Sequence, residues 1–260
     1  MSRSRHLDRR GFLARGLAVT SATLLGGCDE LSSQPWVRRV LESAETLTRV
    51  TQRALLSPND LAREYAEADL SRVFKANGST NPPDADYRAQ AANGFADWSL
   101  QVGGLVGQPL QLSLAELRAM PSRTQITRHD CVEGWSCIGK WKGVKLSALL
   151  ERAQLKPEAR YIVLHCADSL GRSGTAADKY YESIGLADAF HEQTILAYEM
   201  NDQTLPIPHG APLRLRVERQ LGYKMAKYVM GIEAVDSLAN IRGGHGGYWE
   251  DRGYAWYAGI

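Results

Sequence analysis

The chain has 260 residues, 44% of them hydrophobic and 23% charged, with a formal net charge of +2. That balance is ordinary for a soluble globular protein and is enough for one large domain or two small ones. No Lys/Arg run is long, and aromatics do not interleave with basic residues, so the sequence gives no case for nucleic-acid binding.

The N-terminus reads as a leader. Asp8-Arg9-Arg10-Gly11-Phe12-Leu13 is a twin-arginine pair followed by apolar residues, an address for bacterial export. The weakly apolar run from Gly16 to Gly27 is too short to span a bilayer. It ends in Leu25-Gly26-Gly27-Cys28, similar to a lipobox, whose cysteine becomes lipidated and begins the mature chain. Asp29 resembles the residue that keeps some lipoproteins on the inner membrane. Plain cleavage without lipid, or an uncleaved leader, is the alternative. Residues 1–28 are therefore expected to be an export signal that sends the protein to the periplasm, with Cys28 as a lipid anchor.

A helical segment is expected over residues 29–72. From Pro35 to Leu56, apolar residues recur on one helical face at Val37, Val40, Leu41, Ala44, Leu47, Val50 and Ala54. Ser57-Pro58 then restarts a helix that runs to about Leu70. Turn signals follow in Asn77-Gly78 and Asn81-Pro82-Pro83-Asp84. A strand spans Trp98 to Val102, and a short helix opens on the Ser113 cap and runs to Met120. The Trp141–Val144 stretch leads into a helix from Lys145 to about Gln154. Tyr161 to Cys166 has strand length and ends in a polar loop with Asp168, Gly171 and Gly174. Leu186 to Phe190 is a helical turn. Strands follow at Thr194–Met200, Leu213–Val217 (with clean alternation) and Tyr228–Val235. Short strands with scattered helices and no regular strand–helix alternation indicate an α+β domain, mostly β with mixed sheets. No Gly-rich loop follows a strand, against a Rossmann or P-loop enzyme.

The stretch His129-Asp130-Cys131-Val132-Glu133-Gly134-Trp135-Ser136-Cys137 sets a thiol among charged groups and glycine. A thiolate that reacts or binds metal needs nearby positive charge or the metal itself, which Arg128 and His129 can supply. An ordinary buried thiol remains open on these residues alone. Export sharpens the question: of 4 Cys, removal of Cys28 leaves Cys131, Cys137 and Cys166, an odd number in an oxidising compartment. A Cys131–Cys137 disulfide is the competing reading. The tail from Gly243, dense in glycine and aromatics, either lines a groove or covers the core.

Three stretches together resemble the sulfite oxidase family of molybdopterin-dependent oxidoreductases, which includes the bacterial periplasmic methionine-sulfoxide reductase catalytic subunit. They are Cys131-Val132-Glu133-Gly134-Trp135-Ser136, Leu196 through Arg214, and Gly222-Tyr223-Lys224-Met225-Ala226-Lys227. The resemblance implies a catalytic domain over residues 73–238, completed by the tail 239–260, and a molybdenum–molybdopterin cofactor. It makes Cys131 the single protein ligand to molybdenum, whose oxidised states take soft sulfur donors. Arg214, Lys227 and His209 are implied at the pterin phosphate, with backbone at Met225 and Ala226. Asn77, Gly78 and Cys166 are further implied pterin contacts. Tyr254 and Arg252 are implied in the active site. Two arginines of sulfite-oxidising members fall at Ala76 and Ser136 here, so the expected substrate is an S- or N-oxide or small oxyanion rather than sulfite. With no haem domain in the sequence, a separate cytochrome or membrane haem subunit is the expected electron partner. A non-catalytic lipoprotein on the same fold, used for binding or scaffolding, is the alternative.

Overall fold

The computed structural model describes residues 34–260 apart from 56, 58 and 172–177. The export signal, Cys28, Pro58 and Gly174 therefore lie outside the described residues. The chain divides into two units, one ending at Ala54 and one running from Leu55 to Ile260.

The first unit contributes α1 (Pro35–Leu55), entered at a proline whose fixed φ suits a first helical turn. The second begins differently from the sequence expectation. No helix runs from Ser57 to Leu70; only a turn of 3-10 helix, Glu67–Asp69, appears there. The reason is tertiary. Tyr65 N donates to Ile126 O (2.9 Å), Glu64 bridges Thr127, and Ala62 exchanges hydrogen bonds with the Gln193 amide. An edge strand satisfies this backbone, so it has no need of a helix.

α2 (Ala85–Ala92) is capped by the Asp84 carboxylate, which accepts from Tyr87 N (2.9 Å). β1 (Ser99–Gly104), β2 (Leu110–Ser113) and α3 (Leu114–Ala119) follow, the helix opening on a Ser113–Glu116 capping box. Next come β3 (Ser122–Asp130), β4 (Ser136–Lys145) and α4 (Leu146–Ala153). After them come β5 (Tyr161–Ser169), β6 (Lys179–Gly185), the short α5 (Leu186–Ala189), β7 (Ile195–Met200) and β8 (Gln203–Thr204). β9 (Arg214–Arg216) and β10 (Val229–Val235) complete the set.

The strands form two five-stranded sheets. One has the order β2-β1-β10-β5-β6; the other has β3-β4-β7-β8, with β9 also on β7. Among the described residues only β1 and β10 pair in parallel, so the domain is α+β with mixed sheets, as expected. One apolar core takes side chains from both sheets: Leu100, Ile162, Leu164 and Ile232 from the first, Val144, Leu196 and Leu215 from the second, with Leu149 and Leu150 of α4. Each such side chain contributes about 1.5–3 kcal/mol on burial. A smaller cluster of Phe74, Cys137, Trp141, Ile195 and Ala197 covers part of the second sheet.

Candidate active site

β3 and β4 pair in register up to Asp130 opposite Ser136, which leaves Cys131–Trp135 as a five-residue hairpin loop. Cys131 N donates to Trp135 O (2.9 Å) and Gly134 N to Cys131 O (3.0 Å). Gly134 has φ +82°, a left-handed value that favours glycine. This tight loop directs Cys131 into the wall of a cavity of about 320 Å³. Cys131, Cys137 and Cys166 are all free thiols, so the Cys131–Cys137 disulfide is not formed. Burial pushes the Cys131 thiol up, helped by the Glu133 charge and opposed by its backbone N–H, Lys75 and Arg214. A bound metal would take the thiolate and release that proton.

The cavity also takes Asn77, Gly78, Met225, Lys227 and Tyr254 into its wall. Beneath it lies a basic cluster. Arg214 is fully buried; it donates from Nη1 to His209 O (3.2 Å) and from Nη2 to Asn77 Oδ1 (3.4 Å). Lys227 Nζ donates to the carbonyls of Asn77 (2.7 Å), Pro208 (3.0 Å) and Ser79. Gly210, at φ +114°, lets the His209 turn close on Lys227: a Cβ there would stand 2.9 Å from Lys227 Cβ. Burial and then Arg216 bring Arg214 down to about 9. Burial and then Arg214 bring Lys227 down to about 7. His209 falls to about 4, through burial and then the same two cations. Neither Arg214 nor Lys227 forms an ion pair among the described residues. Arg214 Nε and His209 Nδ1 are buried without a hydrogen-bond partner.

That donor set fits the cofactor. Buried cations without an ion-paired carboxylate are costly, and Arg214 with its unpartnered Nε, His209 with its unpartnered Nδ1 and the Lys227 charge suit phosphate oxygens. A free thiol in the same cavity suits a soft metal.

The other expected contacts are less direct. Met225 lines the cavity, while its N–H donates to Gly222 O (3.1 Å) and Ala226 O accepts from Leu215 N (2.8 Å). Those backbone groups are thus already engaged. Cys166 is buried opposite Val229 and is not part of the cavity wall. Arg252 also stands off the wall. Its guanidinium lies 3.6 Å from the Tyr248 ring centroid, and Nη1 donates to Tyr248 O (2.7 Å). The charge expected from Arg252 is committed to Tyr248. Tyr254 is at the cavity, stacked on Trp249 (5.3 Å) and edge-on to Tyr223 (5.2 Å). The tail bearing it is held by Lys224, buried between Glu182 and Glu250.

Two cavity residues escaped the sequence reading. Asp168 follows Cys166 by two positions; Oδ2 accepts from Ser79 Oγ (3.0 Å), and Oδ1 is buried without a partner. Burial pushes its carboxyl up to about 6. Tyr180 donates its hydroxyl to Tyr223 O and is held neutral by burial. The polar loop after β5 was the available signal for Asp168.

Comparison with known proteins identifies the family. The family described as oxidoreductase molybdopterin binding domain matches residues 87–240. A protein of Azospira oryzae, provisionally named protein-methionine-sulfoxide reductase subunit YedZ1, is 37% identical over 96% of this chain and 87% of its own length. The protein-methionine-sulfoxide reductase catalytic subunit MsrP of Xanthomonas axonopodis is 29% identical over 89% of this chain and 71% of its own. The sulfane dehydrogenase SoxCD of Paracoccus pantotrophus matches 55% of this chain and 39% of that one, at 24% identity and a TM-score of 0.49. The chain belongs to the family of molybdopterin-binding oxidoreductases.

Proposed function

We propose that this oxidoreductase is exported to the periplasm and reduces sulfoxides at a molybdenum–molybdopterin cofactor ligated by Cys131. One observation carries the reading: a single cavity is walled by both the free Cys131 thiol and Lys227, and Lys227 shares Asn77 with the buried Arg214, neither cation forming an ion pair among the described residues. When bound, the cofactor supplies two-electron oxygen-atom transfer. The reduction R₂SO + 2 e⁻ + 2 H⁺ → R₂S + H₂O consumes two protons.

Arg214 and Lys227 hold the phosphate, and the hairpin loop fixes the thiolate. Asn77 is drawn to both cations by its side-chain and main-chain oxygens and shapes the wall between the two ends. Tyr254 and Tyr180 present aromatic surface to substrate, and burial keeps the Tyr180 hydroxyl neutral while it donates to Tyr223 O.

A neutral sulfoxide suits this cavity better than sulfite. Ser136, where sulfite-oxidising relatives carry a cation, donates to Asp130 Oδ1 (2.5 Å), and Glu133 puts an acidic group in the wall. An unpaired anion in such surroundings is costly. Both relatives are named as methionine-sulfoxide reductase subunits, which supports the substrate class and a separate electron donor. That donor is a cytochrome or membrane haem subunit, and Cys28 carries the lipid that anchors the chain.

The test is direct. Protein produced with molybdenum available should contain one molybdenum and one pterin. It should reduce methionine sulfoxide with an artificial reductant and leave sulfite unoxidised with an artificial acceptor. Protein lacking both metal and pterin, or one that oxidises sulfite in preference, overturns the reading.

A further inference from the structure

We propose that α1 is a membrane-surface helix that lays its apolar face into a bilayer rich in anionic phospholipid. At about 100° per residue, Trp36, Val37, Val40, Leu47 and Leu55 fall within an arc of about 100° that contains no charge. The sequence of this helix holds six charged residues, and none of them belongs to that arc. The large apolar side chains are open to solvent: Trp36 is 57% exposed, Val40 58%, Leu47 67% and Leu55 78%. A face this apolar and continuous marks an interaction surface.

Charge selects the occupant. The sequence of the helix has four arginines against two glutamates. An anionic surface attracts that excess, and guanidinium groups fit lipid phosphate oxygens bidentately. Trp36 stands at the first turn, and tryptophan favours the headgroup level where one edge is wet and the other apolar. The helix is about 30 Å long. Its exposed, charge-free apolar arc is that of helices lying in the interface plane.

A second copy of α1 fits less well. The four-three spaced seam runs Val40, Ala44, Leu47, Thr51, Ala54, and three of its five positions are too small or too polar to be good coiled-coil knobs. The bulk lies to the sides of the seam, which suits a broad contact with lipid. A single acyl chain gives only marginal membrane binding. The helix would supply the second attachment if Cys28 is lipidated, and it acts alone if not.

The experiment uses the full chain with Cys28→Ser, so that no acyl group contributes. It is floated with vesicles of phosphatidylcholine containing increasing phosphatidylglycerol. Flotation should rise with the phosphatidylglycerol fraction and fall as salt is raised. Adding Val40→Glu and Leu47→Glu should weaken partitioning at least about a hundredfold, with the thermal midpoint of the second unit unchanged. Quenching of tryptophan fluorescence by headgroup-proximal spin-labelled lipid should drop in Trp36→Phe. Three results overturn the proposal: no flotation at any lipid composition, flotation unaffected by the two glutamates, or a concentration-dependent dimer that they abolish.

Discussion

Arg214 and Arg216 stand two residues apart on one short strand, and both are fully buried, yet replacing each with methionine should move stability in opposite directions. Arg216 is paired bidentately with buried Glu218, so Arg216→Met strands a carboxylate and should destabilise by about 3–5 kcal/mol. Arg214 has no acidic partner and is brought down to about 9 by burial and Arg216. At about 1.36 kcal/mol per unit, its charge costs the cofactor-free protein up to about 5 kcal/mol. Against this, Arg214→Met loses two long hydrogen bonds at about 1 kcal/mol each. It also loses a contact over the Trp141 ring at 5.2 Å, worth about 1 kcal/mol. The cofactor-free variant should therefore be as stable as the parent or up to about 2 kcal/mol more so, a rise of about 4–8 °C in Tm. Cofactor retention should suffer instead. Charge-assisted bonds are worth about 1.5–3 kcal/mol each, so losing two predicts a fall of about a hundredfold or more in affinity. Calorimetry of cofactor-free protein and assay of bound molybdenum and pterin measure the two effects. An Arg214→Met protein that is several kcal/mol less stable but fully loaded would falsify the assignment of Arg214 to an anion.

Cys131→Ala should abolish turnover while changing Tm by no more than a few degrees, because the loop is closed by main-chain bonds and Gly134; normal activity in the variant would remove Cys131 from the metal. Lys227 gives a pH signature. The unfolded lysine holds its proton to about pH 10.4, whereas the folded, cofactor-free one loses it at about 7. Between those values the unfolded state binds more protons, so stability of the cofactor-free protein should rise with pH through that window. Bound phosphate restores the charge and should flatten the rise, as denaturation from pH 6.5 to 9.5 with and without cofactor would reveal. Lys224→Met leaves Glu182 and Glu250 buried together and should cost about 3–5 kcal/mol. Adding Glu250→Gln should recover part of that loss in urea titrations, and no recovery would mean that the two carboxylates do not repel.

The fold was legible wherever hydropathy and packing pointed the same way. β5 and β10 are apolar runs that enter the core, and α3 and α4 carry their cap and apolar spacing as expected. β3 and β4 were not recognised, although they are the two strands that hold the cysteine loop. The buried residues along β3 include Gln125, Thr127 and His129, so its inward face is polar and hydropathy alternation is blind to it. Gln125 donates to Glu218 Oε1 (2.8 Å), and His129 Nδ1 lies 3.2 Å from Arg216 Nη1. What that face packs against comes from β9 and the residues after it, nearly a hundred positions along the chain, and no local window contains it.

The same blindness explains β9. Leu213-Arg214-Leu215-Arg216-Val217 alternates cleanly, and alternation ordinarily separates a wet face from a dry one. Here both faces are buried. The leucines enter the core, and the arginines stack against Trp141 at 5.2 and 4.4 Å. Family resemblance singles out Arg214 because a motif records what a residue does; hydropathy records only what it is. Arg252 differs. That guanidinium was expected at the substrate, but the Tyr248 ring and carbonyl lie closer and take it. A motif transfers positions along the chain, whereas the direction of a flexible side chain depends on local partners. Arg214 is fixed by burial on a strand. Arg252 sits on an exposed 3-10 turn, where a neighbouring aromatic decides its orientation.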